Sequence, residues 1–424
     1  LTVISFLACG SHKNENIKVS DNDFKQAANA YTELNEFLLI DNGTLWNYKL
    51  NGPILLVNRE TRTFIANEQN EKNTFTIQGD FYTGRLPENI NIANTALDWN
   101  GKRWTMVSLP LPESKEDRLS LLIHESFHRI QPLVGFDNLS ELQNDHLDTK
   151  EGRIYLKLEL EALKQALIIN EPEQHIINAL LFRHYRHQLF PESIISENSL
   201  EIIEGIAEYT GSTLCGMSNA DLQKHYSSMI DITLSNPTLV RSFAYDTIPV
   251  YGYFMKQTEA KWNLKINSKT NLTEFIYGFF GVKSPKINLD EIKKIGKFYE
   301  YESVCKLEDE REQKQLALIK KLKKQFLEGS TLVINLENMN IGFNPGNIMP
   351  LDTFGTVYPN LRITDNWGIL EVDSCGALLT NWQKVTVSSP TSISDTLITG
   401  KGWRLKLNNS WKLGEVEGHY IVKK

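Results

Sequence analysis

His124 and His128 stand four residues apart in the stretch Leu119-Ser-Leu-Leu-Ile-His-Glu-Ser-Phe-His-Arg-Ile-Gln131. On a helix that spacing projects both imidazoles from one face, where they can close on a single metal ion of the zinc type. Glu125 beside them is placed to polarise a water on that ion. The surrounding residues read as a helix. Ser114 and Asp117 mark a capped start, Leu119, Leu122, Ile123, Phe127 and Ile130 recur at helical spacing, and Pro132 stops the run.

Two histidines leave a catalytic zinc one protein ligand short, so a third donor must come from another element. Leu200-Glu-Ile-Ile-Glu-Gly-Ile-Ala-Glu-Tyr-Thr-Gly211 offers it. Glu204 and Glu208 share one helical face, and Gly211 is read as the end of that helix. One carboxylate would bind the metal while the other, a turn away, accepts the free N–H of a ligand imidazole and fixes its tautomer. Glu159 and Glu161, on a helix between the two motifs, compete for the ligand position.

The combination of H-E-x-x-H with a helical E-G-x-A-x-Y resembles the gluzincin metallopeptidases, in particular their aminopeptidase N-like branch. That resemblance implies a helical zincin catalytic domain in which His124, His128 and Glu204 hold Zn2+. Similarity to the second helix of thermolysin implies that Glu208 steadies a zinc histidine. The implied activity is hydrolysis of peptide bonds by a zinc-bound water, with Glu125 as general base and a peptide or protein as substrate. Members of this branch stabilise the oxyanion with a Tyr in a Tyr-x-x-Gly helix start. Ala244-Tyr245-Asp-Thr-Ile248-Pro249-Val-Tyr251-Gly252 is similar in position, with Ile248 where the Gly stands. Tyr245 is therefore the expected donor, and Tyr251 and His225 are the alternatives. The long separation between His128 and Glu204 implies an inserted helical pair over residues 151–189. Aminopeptidases of this branch also carry a Gly-x-Met-Glu-Asn strand that captures the substrate amine, and Trp104-Thr-Met-Val-Ser-Leu-Pro110 has no counterpart to it. Nothing in these residues supports exopeptidase action. The resemblance covers about residues 104–256.

These residues need elements to position them. Phe24, Ala27, Ala28, Tyr31, Leu34, Phe37 and Leu38 predict one amphipathic helix over 23–40. Short β runs follow, punctuated by Asn42-Gly43 and Asn51-Gly52, and Asn100-Gly101 joins 96–99 to 102–109 as a hairpin. The second strand of that hairpin leads into the histidine helix, so its edge is expected along the cleft, where an extended peptide can pair with it. Helices are expected over 152–170, 173–189 and a charged stretch at 308–327, then strands to the C-terminus. The fold class is thus α+β: an N-terminal, mainly β subdomain with one helix (24–112), a helical zinc catalytic domain (113–329) and a small C-terminal β domain (330–424). Trp367, Trp382, Trp403 and Trp411 in that last domain are expected in its core rather than on a binding platform.

With 41% hydrophobic and 23% charged residues the chain is globular in composition, and a net charge of −7 without a basic stripe argues against nucleic-acid binding. The opening run ends in Leu7-Ala8-Cys9 and resembles the tail of a bacterial lipoprotein signal (1–9), with Cys9 the lipidated residue and 10–23 a tether. Without an initiator Met or a basic n-region, that run is read as the end of a longer signal. This implies a chain held at a membrane surface of the cell envelope, facing the periplasm or exterior. Cys215, Cys305 and Cys375 remain, an odd number with no metal-binding spacing. Two other functions fit the same residues: a surface lipoprotein with a structural zinc clamp and a binding role, or a zinc hydrolase acting on bonds other than peptides. Glu125 argues against the first, because a structural site needs no general base.

Overall fold

The computed structural model describes residues 19–87, 90–283, 287–343 and 348–424. Cys9 and the first part of the tether lie outside the described residues. Ser20 caps helix α1 (Asp21–Asp41) by accepting the Asp23 N–H at 3.0 Å, and α1 buries Ala27, Ala30, Tyr31, Leu34 and Leu38.

Six strands follow: β1 (Ile54–Asn58), β2 (Thr63–Ala66), β3 (Thr76–Gln78), β4 (Phe81–Arg85), β5 (Thr95–Trp99) and β6 (Lys102–Leu109). They form one sheet in the order β3-β4-β2-β1-β6-β5, with β1 and β6 parallel. Alternation along the strands sorts the two faces. Ile54, Leu56, Ile65, Val107 and Leu109 turn toward the helices, while Leu55, Val57, Phe64, Trp104 and Met106 join Phe75 in a second cluster. Asn100 and Gly101 take the left-handed conformation (φ 49° and 85°) that a two-residue hairpin between β5 and β6 requires. One expectation is corrected here. β6 is not an edge, because β1 pairs with it on one side and β5 on the other; β5 is the edge strand. The reason is composition: residues 104–109 are buried on both faces, whereas β5 is only partly covered.

Beyond β6 the chain is helical. Ser114 caps α2 (Lys115–Ile130), as its sequence implies, and Gln131–Val134 closes it with a 3-10 turn. α3 (Lys150–Ile168) and α4 (Glu173–Leu189) form the helical pair expected between the two motifs. α5 (Ser193–Leu200) and α6 (Ile206–Leu214) are joined without a break by a π turn, Glu201–Gly205. α7 (Asn219–Ser235), α8 (Ala244–Thr258), α9 (Leu272–Phe279), α10 (Leu289–Gly296) and α11 (Tyr301–Lys323) complete the helices. No helix among the described residues is long and apolar enough to cross a membrane.

The chain divides into two compact units, one up to Glu308 and one from Asp309. The second unit holds a seven-stranded and a six-stranded sheet between Thr331 and Lys423, and one core drawn from both sheets contains Trp367, Trp403 and Trp411. Trp382 is the exception at 53% exposed.

Candidate metal centre

Three helical segments converge on His124, and two glycines let them. A Cβ on Gly211 would lie 2.6 Å from the Ser120 carbonyl oxygen, so only glycine permits this approach of α6 to α2. A Cβ on Gly205 would lie 2.8 Å from the Ala244 carbonyl oxygen and from Ile248 Cβ, which brings α8 against the π turn. Gly211 therefore does not end its helix as its type suggests; it sits inside α6 as a packing contact. Ile248, where a glycine stands in the resembled motif, fills the space that Gly205 leaves.

On this frame His124 Nε2, His128 Nε2 and a carboxylate oxygen of Glu204 lie within 4.8 Å of one another. The histidine Nε2 atoms are 3.0 Å apart, and each is 3.4 Å from Glu204 Oε2. The opposite ring nitrogens are engaged. His124 Nδ1 donates to Glu208 Oε2 at 2.9 Å and His128 Nδ1 to Gln131 Oε1 at 3.0 Å. The orientation of the Gln131 amide follows from its nitrogen, which donates to the carbonyls of Ile202 (3.1 Å) and Ile203 (2.9 Å) in the π turn. With both Nδ1 atoms carrying hydrogen, both Nε2 lone pairs point at each other and at a carboxylate. Such a cluster requires a cation at its centre, either a proton or a metal ion. Burial opposes charge on His124, yet its hydrogen bonds to Glu204 and Glu208 outweigh burial and push it up to about 10. Burial likewise opposes charge on Glu204, but bonds from both histidines and Tyr245 hold its carboxyl well below the usual range. Two imidazoles and one carboxylate suit zinc and other first-row divalent ions.

The cluster opens into a cleft of about 680 Å³. Glu125 is buried in its wall, with Oε2 lacking any hydrogen-bond partner. Burial raises the Glu125 pKa; the charges of His124 and His128 lower it, and Glu204 and Glu208 add to the rise. Tyr245, at the start of α8, stacks parallel to the His124 ring with 5.8 Å between centroids. Its hydroxyl donates to Glu204 Oε2 at 2.6 Å. Arg241, one turn earlier, donates to Glu204 Oε1 at 3.2 Å and also pairs with Glu141. Thr95 and Ala96 of the edge strand β5 line the same cleft, as does His225.

The other candidates lie elsewhere. Glu159 is fully buried in an ion network: Arg183 bridges it to Glu201, and Arg186 bridges it to Glu197, at 2.6–3.0 Å. Tyr251 donates to Glu159 Oε1 at 3.0 Å and so belongs to that network rather than to the cleft. Glu161 pairs with Lys164. Gln131 and Arg241 carry no role in the sequence reading. Gln131 had a local signal, an amide three residues after His128; Arg241 had none beyond its place one turn before Tyr245. Comparisons with protein-family models, curated proteins and solved structures found no match.

Proposed function

We propose that the chain is a zinc-dependent peptidase of the gluzincin type, hydrolysing peptide bonds in a peptide or protein substrate. The observation that carries it is the convergence of His124, His128 and Glu204, all three presenting lone pairs, beside a buried carboxylate with an unpartnered oxygen. His124, His128 and Glu204 would hold the ion. Zinc in such a donor set supplies Lewis acidity and makes water acidic enough to attack near neutral pH. Glu125 accepts a proton on its unpartnered Oε2 and later delivers it to the leaving amine, a task that its raised pKa suits. Tyr245 is the phenol at the cleft; exchanging its bond to Glu204 for one to the developing oxyanion makes it the donor for that charge. The free edge of β5 offers main-chain N–H and C=O groups along the cleft, which suits an extended peptide more than a compact ester. Leu7-Ala8-Cys9 supports the further proposal that the enzyme is lipid-anchored in the bacterial cell envelope.

Turnover of a mixed peptide library by the zinc-loaded chain and by Glu125→Gln tests this chemistry. The variant is expected to keep its metal and lose activity by about a hundredfold to ten-thousandfold. Equal cleavage by both, or none by wild type across the library, contradicts it.

A further inference from the structure

A second cavity, of about 400 Å³, lies within the unit from Asp309 onward. Leu318 and Leu322 near the end of α11 form one wall, and Met349, Val357 and Pro359 the other. Its volume falls within the range of small-molecule pockets, and its walls are mainly carbon. The polar side chains at the wall are mostly committed. The Gln325 amide donates to the Cys375 carbonyl at 2.7 Å, and Ser388 Oγ accepts the Trp403 indole N–H at 3.0 Å. Lys321 and Lys401 differ: both are exposed, and neither has a carboxylate partner among the described residues. Long lysine stems cover apolar surface while their ammonium groups stay at the rim in water. The cavity thus pairs an apolar interior with two uncompensated positive charges at its mouth.

We infer that this cavity binds a single amphiphilic carboxylate of the fatty-acid class, with the apolar tail inside and the head group against Lys321 and Lys401. A polar ligand would find few free hydrogen-bond partners within. A neutral apolar ligand would leave both ammonium groups without a counter-charge, and a cationic one would be repelled by them. The inference is independent of the metal centre.

Cys375 lines the cavity with an exposed thiol and serves as a reporter in the full chain. Its alkylation by iodoacetamide is followed by peptide mass spectrometry, with Cys305 as internal reference. Decanoate below its micellar concentration is expected to slow Cys375 several-fold in a saturable manner and leave Cys305 unchanged, whereas decyltrimethylammonium leaves both rates unchanged. The double variant Lys321→Glu, Lys401→Glu, altering only exposed side chains, is expected to reverse that preference. No slowing by decanoate, equal slowing by both amphiphiles, or slowing only by anionic phospholipid vesicles would overturn the assignment.

Discussion

His128 Nδ1 lies 3.0 Å from Gln131 Oε1, and through that one amide an imidazole of the candidate metal centre is tied to the turn that carries Glu204. The Gln131 nitrogen donates to two backbone carbonyls of the π turn, Ile202 at 3.1 Å and Ile203 at 2.9 Å. Gln131→Ala frees the His128 tautomer and removes the side-chain hydrogen bonds to the Ile202 and Ile203 carbonyls. We expect metal affinity to fall by about 10- to 100-fold and stability by about 1–3 kcal/mol. Competition with a chelator and urea unfolding measure the two; an unchanged affinity would mean that Gln131 serves packing alone.

Gly205 and Ile248 meet where α8 crosses the π turn. A Cβ at Gly205 would overlap both the Ala244 carbonyl and Ile248, so Gly205→Ala should cost about 1–3 kcal/mol by overpacking. The displacement also moves Tyr245 away from Glu204. Combining it with Ile248→Ala should recover part of the loss, and a double-mutant cycle in urea midpoints checks this.

Tyr245 separates two roles in kinetics. If its hydroxyl reaches the oxyanion, Tyr245→Phe lowers kcat by about 10²–10³ and leaves metal affinity nearly intact. A loss of metal with kcat preserved in the fully loaded enzyme would instead confine Tyr245 to holding Glu204.

Asp246, the next residue, gives a pH signature in the metal-free chain. It is 2% exposed; burial, assisted by Glu208, raises its pKa to about 7 from the ordinary 3.8. The neighbouring Thr233 hydroxyl offsets this only in part, and neither carboxylate oxygen makes a full hydrogen bond. Between those two values the folded chain holds a proton that the unfolded chain has released, so stability falls as pH rises through the window and stays lower above about 7. Asp246→Asn is expected to flatten that slope and to be the more stable protein at pH values above the window, by on the order of a few kcal/mol. Urea midpoints below and above it check this; parallel profiles for the two proteins would contradict it.

Much of this architecture was legible locally. The cap at Ser114, the Asn100-Gly101 hairpin and the α3–α4 pair each follow from neighbouring residues, and the H-E-x-x-H and E-G-x-A-x-Y segments do come together in space. The edge strand was not, because β5 becomes the edge only through the parallel pairing of β1 with β6, a contact distant in sequence. The destination of Glu159 was hidden for the same reason: its partners Arg183 and Arg186 reach it from α4. Gly211 illustrates a type whose two uses, helix end and close packing, look alike until the neighbouring helix is in place.

The metal content of the purified full chain, wild type against Glu204→Ala, bears most directly on the centre. After zinc loading and removal of excess, we expect one tightly held ion per wild-type chain and a large loss of affinity in the variant. No bound ion in wild type, or equally tight binding in Glu204→Ala, would contradict the assignment of His124, His128 and Glu204 as the ligands.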